Sequence, residues 1–474
     1  MTLRVQIVFD GEPFDRAAVI HTLRHLAMRV GWQLTLVAGA ERRIVYATTD
    51  DANRVTAQTG DVVVLSSPAV AEHLRNSRAP IPAKHLPDGS WLPFPHRSQN
   101  RDWICGDVIA GAFAALNLWY EERTRSDRRD GWIAWRDDWM ARVGLDKPAA
   151  LADEWLDEIA RAAERLGWAY VAPRQNANFT VVLTHDVDYL PGVRDHGLPR
   201  LLRAIMRQFV LRRRPVDAVR LLAHYARSLS LQPYLAFESV RRAEQSRGAR
   251  SSFQLVVARR HRLDPTYAIR GGSIASALQK VASSEWEICL HSSYMARRTP
   301  GALGEERAEL ERVVGTAVRG NRQHYLNFHP SQLFDAVERA GLEYDMSVGY
   351  NDASGTRAGT CFPYRPFNLG LGRAYGFWEI PFVLMDTTLA TTYRFSPAEA
   401  LEHAQSVLSR VAKVGGSVSL IWHLEQLSGL VDPGFDRVYY ELLDWIHAQG
   451  GAMVAGRDVL HDLNVRWRAA MCDE

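Results

Sequence analysis

The sequence has few cysteines, no long apolar run and almost no excess of either charge. Its four cysteines show no paired spacing, so we expect reduced thiols and no zinc site built from thiolates; they are Cys105, Cys289, Cys361 and Cys472. No stretch of about 20 apolar residues occurs, so no transmembrane helix is expected. A net charge of +3 over 474 residues does not indicate a nucleic-acid-binding protein.

The N-terminal segment also lacks the features of a signal peptide. Residues 1–10 run into a strand-like stretch without a long apolar core or a small-residue cleavage site, so we expect a cytoplasmic protein. At 474 residues and 47% hydrophobic composition, the chain is long enough for two or three domains. Residues 1–175 predict a smaller α/β domain, in which we find neither a Gly-rich phosphate loop nor a cluster of metal ligands.

Two aspartates follow the most strand-like run of the chain. Phe179 to Leu183 is apolar and rich in β-branched residues, which predicts a buried strand. Because side chains alternate along a strand, Asp186 and Asp188 should point the same way at its end. Such a pair suits a metal site in which one carboxylate holds the ion and the other accepts a proton from water. A solvated loop corner is the structural alternative.

Strand-like and helix-like segments then alternate to the end of the chain, which predicts parallel strands joined by helices. Seven strands are expected, so residues 176–470 should form a deformed, seven-stranded TIM-like (β/α) barrel. The predicted strands are Thr180–Thr184, Ser252–Val257, Trp286–Leu290, Ala317–Asn321, Glu343–Val348, Trp378–Leu384 and Ser417–Trp422.

An arginine-rich segment interrupts this alternation at about residues 191–230. Basic and apolar residues interleave there at helical spacing, as around Arg212, Arg213 and Arg214. A helical insertion with a solvated basic face is one reading. The other is peripheral contact with an anionic surface, such as the cytoplasmic face of the inner membrane.

Polar residues follow most of the predicted strands, where the active sites of such barrels lie. We expect a site at this end, with six of the residues binding the substrate: Tyr294, Tyr325, Asp352, Arg357, Asp386 and Trp422.

The order of these residues resembles the polysaccharide deacetylase family, also called the NodB-homology or carbohydrate esterase 4 domain, in its branch with an extra N-terminal lobe. The resemblance covers about residues 179–430. It implies that Asp186 is the catalytic base and that Arg322 orients it. It further implies that Asp188 and His291 bind the metal and that His423, in Leu420-Ile421-Trp422-His423, is the general acid.

The chain departs from the family pattern at one metal ligand. The family usually has a second histidine four residues after the first, and Met295 stands there. A thioether is a poor ligand for zinc or a hard divalent ion. We expect His324 to supply the missing imidazole, with Tyr294 or a water molecule as alternatives.

The resemblance implies a metal-dependent hydrolase with one divalent ion per chain, for which zinc is the expected metal. It would remove N-acetyl groups, or as a second choice O-acetyl groups, from a sugar or glycan intermediate in bacterial surface-polysaccharide biosynthesis. Two alternatives stay open, a catalytically silent carbohydrate-binding relative and a glycosyltransferase that binds a metal–nucleotide through His185-Asp186-Val187-Asp188.

Overall fold

The computed structural model describes most of the chain. The described residues are 3–49, 55–98, 100, 102–124, 133–168, 179–188, 206, 219, 233–265, 267–270, 272–427 and 432–471. The predicted arginine-rich insertion at 191–230 lies outside them, apart from Met206 and Val219.

The described strands fall into two parallel sheets and two short hairpins. They are β1 (Leu3–Asp10), β2 (Trp32–Thr35), β3 (Arg42–Thr48), β4 (Val62–Ser66), β5 (Ala83–His85), β6 (Trp91–Pro93), β7 (Thr180–Val187), β8 (Ser252–Leu255), β9 (Glu287–Ser292), β10 (Gly320–Gln323), β11 (Tyr344–Asp345), β12 (Phe367–Asn368), β13 (Arg373–Ala374), β14 (Trp378–Glu379), β15 (Phe382–Met385), β16 (Ser417–Ile421) and β17 (Ala452–Val454).

Helices connect and cover these strands. They are α1 (Arg16–Val30), α2 (Pro68–Asn76), α3 (Val108–Leu116), α4 (Trp119–Arg123), α5 (Trp139–Arg142), α6 (Leu151–Arg165), α7 (Pro233–Gln245), α8 (Gly272–Ala282), α9 (Ala302–Val314), α10 (Pro330–Arg339), α11 (Pro397–Lys413), α12 (Leu424–Leu427), α13 (Phe435–Ala448) and α14 (Leu460–Ala469). No helix among the described residues is both long enough and apolar enough to cross a bilayer.

Parallel pairing runs through a deformed barrel with seven strand positions, from β14 at one end of the ladder to β15 at the other. From β7 the ladder passes through β8, β9, β10 and β11. β14 pairs with β11. The next strand along the chain, β15, pairs with β16. β16 returns to β7. The predicted deformed seven-stranded barrel is therefore confirmed, with its sixth position split between β14 and β15. The split falls at Pro381, which has no N–H to donate to a ladder.

The barrel is widened at its N-terminal end by β17. This strand pairs with residues Thr180–Val182 of β7, whereas β8 pairs only with the other half of β7, Thr184–Val187. β17 therefore fills the lower part of the space between β7 and β8. The upper halves of these strands carry the candidate site.

The N-terminal region forms its own parallel sheet, in the order β2-β1-β3-β4. The buried runs of β3 and β4 and the apolar faces of α1, α3 and α6 form its core. The predicted domain boundary near residue 175 lies outside the described residues, so the division into 1–175 and 176–470 stays a prediction.

Buried polar contacts join this region to the barrel. Arg357, after β11, donates through Nε to Glu121 Oε1 of α4 at 2.8 Å, and both side chains are buried. Asp153 of α6 accepts from Thr360 Oγ1 at 2.7 Å and from the backbone N–H of Cys361 at 2.6 Å. These loops, which follow the barrel strands, therefore pack on the N-terminal helices.

We predict that Arg357→Ala lowers the free energy of unfolding by about 3–5 kcal/mol, because it leaves the Glu121 carboxylate buried without its partner. Arg373→Ala is the matched control, since its ion pair with Glu338 is far more exposed and should change stability little. Urea unfolding followed by circular dichroism measures both. Equal midpoints for the two variants would show that the buried pair does not hold the parts together.

Candidate active site

A cavity of about 390 Å³ opens at the C-terminal ends of the barrel strands. Six of the residues predicted from the sequence meet in it. Its lining consists of Asp186, Asp188, His291, His324, Tyr325, Leu326, Asn351, Met385, Thr387, Thr391, Thr392, Ile421, His423 and Glu425. The loops after the strands converge at this end of the barrel, which explains why residues distant in sequence come together here.

Asp188, His291 and His324 form a cluster that can hold a metal ion. One ligand atom from each lies within 4.8 Å of the others. His324 Nε2 lies 3.4 Å from Asp188 Oδ1, and His291 Nε2 lies 3.8 Å from the same oxygen. Two imidazoles and one carboxylate are the donor set of many catalytic zinc sites, in which a fourth position stays open for water or substrate.

Both imidazole rings are fixed through Nδ1. His291 Nδ1 lies 2.8 Å from the carbonyl oxygen of Arg322, and His324 Nδ1 lies 3.0 Å from the carboxylate of Asp264. A carbonyl and a carboxylate only accept hydrogen bonds, so each Nδ1 donates. Each Nε2 is thereby directed at the cluster, which is the arrangement in which proteins orient metal-binding histidines.

The residues present fit a bound divalent ion. Asp188 Oδ1 and His324 Nε2 are buried, and neither has a hydrogen-bond partner. Burial lowers the pKa of His324, but Asp188 and Asp264 outweigh it and raise this pKa to about 9. A cation is therefore favoured between these side chains, whether it is a proton or a metal ion.

His324, and not Met295, belongs to this cluster. Met295 precedes a short 3₁₀ turn, Ala296–Arg298, and does not line the cavity. Tyr294, the alternative ligand, stacks on His261 with ring centroids 4.4 Å apart and does not line the cavity either. The structure thus brings the histidine of the neighbouring strand, and not Tyr294, to the cluster.

Asp186 lies beside this cluster and is held by Arg322. Its Oδ2 is 3.5 Å from His291 Nε2. Arg322 Nη1 donates to Asp186 Oδ1 at 2.7 Å and to Thr184 Oγ1 at 2.6 Å. Burial raises the pKa of Asp186, but Arg322 and His291 outweigh burial, so this pKa lies below its ordinary value. Asp186 is therefore a carboxylate whose position is fixed.

His423 lies at the tip of β16 and is held by Asp386. His423 Nδ1 is 2.6 Å from Asp386 Oδ1, and the backbone N–H of His423 donates to Asp386 Oδ2 at 2.7 Å. Burial lowers the pKa of His423, but Asp386 and Glu425 raise it by more than burial lowers it. The pKa of His423 therefore lies well above its ordinary value. Asp386, predicted to bind substrate, is fully buried and instead positions His423.

Four other residues predicted to bind substrate lie outside the cavity. Tyr294 is buried against His261, as described above. Asp352 accepts from the backbone N–H of Trp135 at 3.1 Å, and Arg357 pairs with Glu121. The ring of Trp422 is fully buried. These four predictions are corrected, because each side chain contacts other residues of the protein and not the cavity. Tyr325, 46% exposed, is the predicted substrate residue that lines the cavity.

The sequence assigned no role to Asp264, to Glu425 or to three threonines that line the cavity. Asp264 lies in the long loop after β8 and returns to the site at His324, a contact that no local pattern indicated. Glu425 lines the cavity two residues after His423, and burial raises its pKa to about 8. Thr387, Thr391 and Thr392 come from a π-helical turn, Thr388–Thr392, and its flank, which no sequence pattern indicated.

Solved structures with related folds exist for the barrel. The chain is similar to polysaccharide deacetylases. A proposed polysaccharide deacetylase from Mycobacterium smegmatis is 16% identical with a TM-score of 0.40, and the match covers 61% of this chain and 92% of that one. For a polysaccharide deacetylase from Bacillus cereus the values are 11%, 0.29, 58% and 91%.

An allantoinase, PuuE, is similar to the same extent. It is 13% identical, with a TM-score of 0.41 and coverage of 62% of this chain and 93% of that one. No protein-family model matches the sequence, and no curated protein matches it.

We predict about one divalent ion per chain in protein purified without chelator or nickel resin. Asp188→Ala, His291→Ala and His324→Ala should each lose most of it, because a catalytic site has few protein ligands to spare. Met295→Ala is the control and should keep the ion. Elemental analysis measures the content, and unchanged metal in the three ligand variants would overturn this site.

We predict that Asp264→Asn weakens metal binding by roughly 10–100-fold, since it removes the charge that orients His324. Glu306→Gln is a matched control. Glu306 binds the backbone N–H of Ser293 at 2.9 Å in the loop after β9, and it does not line the cavity. Competition with a chromophoric chelator gives both affinities. Equal affinities would show that Asp264 does not support the metal.

Proposed function

We propose that this protein is a metal-dependent hydrolase that removes N-acetyl groups, or as a second choice O-acetyl groups, from a sugar or glycan intermediate. The observation that carries the proposal is the placement of two candidate acid–base groups beside a candidate metal cluster. Asp186 and His423 line the same cavity as Asp188, His291 and His324. Arg322 holds Asp186, and Asp386 holds His423.

The residues would divide the reaction between them. A bound divalent metal, with zinc as the expected ion, would polarise the acetyl carbonyl and acidify a water molecule. Asp186 would accept a proton from the attacking water, with Arg322 fixing the carboxylate. His423 would protonate the leaving nitrogen, because an amide anion is too basic to depart without a proton. Asp386 would keep the His423 imidazole in the orientation needed.

The walls of the cavity support a sugar as the substrate. The side chain of Tyr325 is 46% exposed. The apolar face of a sugar ring can pack against such an aromatic ring. The other wall carries the hydroxyls of Thr387, Thr391 and Thr392 and the amide of Asn351, which can hydrogen-bond to sugar hydroxyls. A lining rich in hydrogen-bonding side chains suits a ligand that carries many hydroxyl groups.

The two alternative functions differ in what they need. A glycosyltransferase that binds a metal–nucleotide would use an oxygen-rich donor set suited to Mg²⁺ or Mn²⁺. Asp188 instead faces two imidazoles, and Asp186 is engaged by Arg322. A silent carbohydrate-binding relative would need shape and hydrogen bonds but no acid–base pair, so variants of that pair separate it from an enzyme.

We predict that Asp186→Asn and His423→Ala lower turnover by roughly 10²–10⁴-fold while metal content stays the same, the usual range for loss of a positioned acid–base group. Asp352→Asn should retain full activity, since Asp352 lies outside the cavity. The assay is acetate release from N-acetylated sugars, sugar nucleotides and lipid-linked sugars.

Two results would count against the proposal. If both variants hydrolyse the best substrate as fast as the unmodified protein, Asp186 and His423 do not carry the chemistry. If the metal-loaded protein binds N-acetylated sugars but releases no acetate, the carbohydrate-binding alternative replaces the enzyme.

A further inference from the structure

His185 stands between Thr184 and Asp186, yet its side chain does not enter the cavity. Thr184 and Asp186 both contact Arg322 inside the barrel. Because side chains alternate along a strand, His185 points outward, toward α7 and α13. It is fully buried there, and its ring contacts those of Phe253 and Tyr439, with centroids 5.1 Å and 5.4 Å away.

The His185 ring joins a buried carboxylate to the tip of β16. Its Nε2 lies 2.8 Å from Glu244 Oε1, and its Nδ1 lies 2.8 Å from the carbonyl oxygen of Trp422. Glu244 is fully buried and also accepts from Tyr439 OH at 2.7 Å, Ser251 Oγ at 2.8 Å and Trp286 Nε1 at 2.6 Å. A carbonyl oxygen only accepts, so His185 Nδ1 donates to Trp422.

The hydrogen bond from His185 to the Trp422 carbonyl lies just beyond the end of the β7–β16 ladder. Ile421 pairs with Thr184, and the backbone N–H of Trp422 donates to the Thr184 carbonyl at 3.0 Å. The carbonyl of Trp422 then receives its hydrogen bond from the His185 ring. A side chain thus extends the pairing of the two strands to the point where His423 begins.

One peptide group is thereby held at both ends. The Trp422 carbonyl and the His423 N–H belong to the same planar unit. The carbonyl is bound by His185 on the outside of the barrel, and the N–H is bound by Asp386 Oδ2 at 2.7 Å. Rotation of this plane would move the His423 Cα atom and the ring that Asp386 holds, and it would break one of the two contacts.

We infer that His185, backed by Glu244, is a positioning residue that sets the orientation of the His423 imidazole by holding the Trp422–His423 peptide from outside the barrel. The inference rests on the proposed function for its catalytic consequence. The geometric part, that the peptide depends on His185, stands independently of any substrate. His185 would thereby couple β7, which carries Asp186, to β16, which carries His423.

The decisive comparison is His185→Phe against His185→Asn. Phe retains a ring among Phe253 and Tyr439 but donates nothing to the Trp422 carbonyl. Asn places an amide N–H near the position of Nδ1 and restores that donor. Ser251→Ala is the control, since it removes one donor to Glu244 and leaves the contacts of His185 intact.

Crystal structures and kinetics give separate readouts. In His185→Phe we expect a rotated 422–423 peptide and a longer contact between His423 Nδ1 and Asp386. We also expect kcat to fall by roughly 10–100-fold, because small misplacements of catalytic groups lower the rate of the chemical step. KM and metal content should stay nearly unchanged. His185→Asn should recover most of kcat, and Ser251→Ala should match the unmodified protein.

An unchanged peptide and an unchanged His423–Asp386 contact in the His185→Phe structure would overturn the inference, whatever the activity. So would equal kcat values for the Phe and Asn variants. If His185→Phe does not fold, His185→Leu, which also has no donor for the Trp422 carbonyl, replaces it with the same expected results. Failure of the unmodified protein to release acetate would reject the proposed function, and the crystal structures alone would then decide on His185.

Discussion

The candidate site depends above all on the buried guanidinium of Arg322. Its Nη1 holds Asp186 and Thr184 on β7, and its Nε donates to the carbonyl oxygen of Met346 at 2.9 Å. Its own carbonyl fixes His291 of β9. A buried charge is tolerated only when it is paired and hydrogen-bonded, and the barrel interior provides these partners. One residue of β10 thereby fixes both the candidate base and a candidate metal ligand.

The second feature of the site is that its two histidines come from different strands. A histidine pair four residues apart would present both imidazoles from one segment. Here Met295 removes that option, and His324 approaches from the tip of the next strand with Asp264 behind it. The cluster offers two nitrogens and one oxygen, and the nitrogens come from neighbouring strands with separate supporting residues.

The sequence predicted the barrel and the centre of the site because both follow from local patterns. Alternation and β-branched runs located the strands, and residues at or just beyond the end of a strand, such as Asp186, Asp188, His291 and His423, have little freedom in where they lie. Residues further along the loops were predicted poorly. Arg357 lies in a loop that turns toward Glu121, 236 positions away in sequence, and Asp264 returns to the site through a long loop after β8. Such contacts depend on tertiary packing, which no local pattern encodes.

The central claim is that Asp188, His291 and His324 hold one metal ion beside Asp186. Anomalous scattering from a crystal of the metal-loaded protein, collected on both sides of the absorption edge, tests it most directly. We expect one peak at roughly 2.0–2.2 Å from the Nε2 atoms of His291 and His324 and from an Asp188 oxygen, the usual zinc–ligand distances. A peak more than about 3 Å from His324 Nε2, or one located away from this cavity, would contradict it.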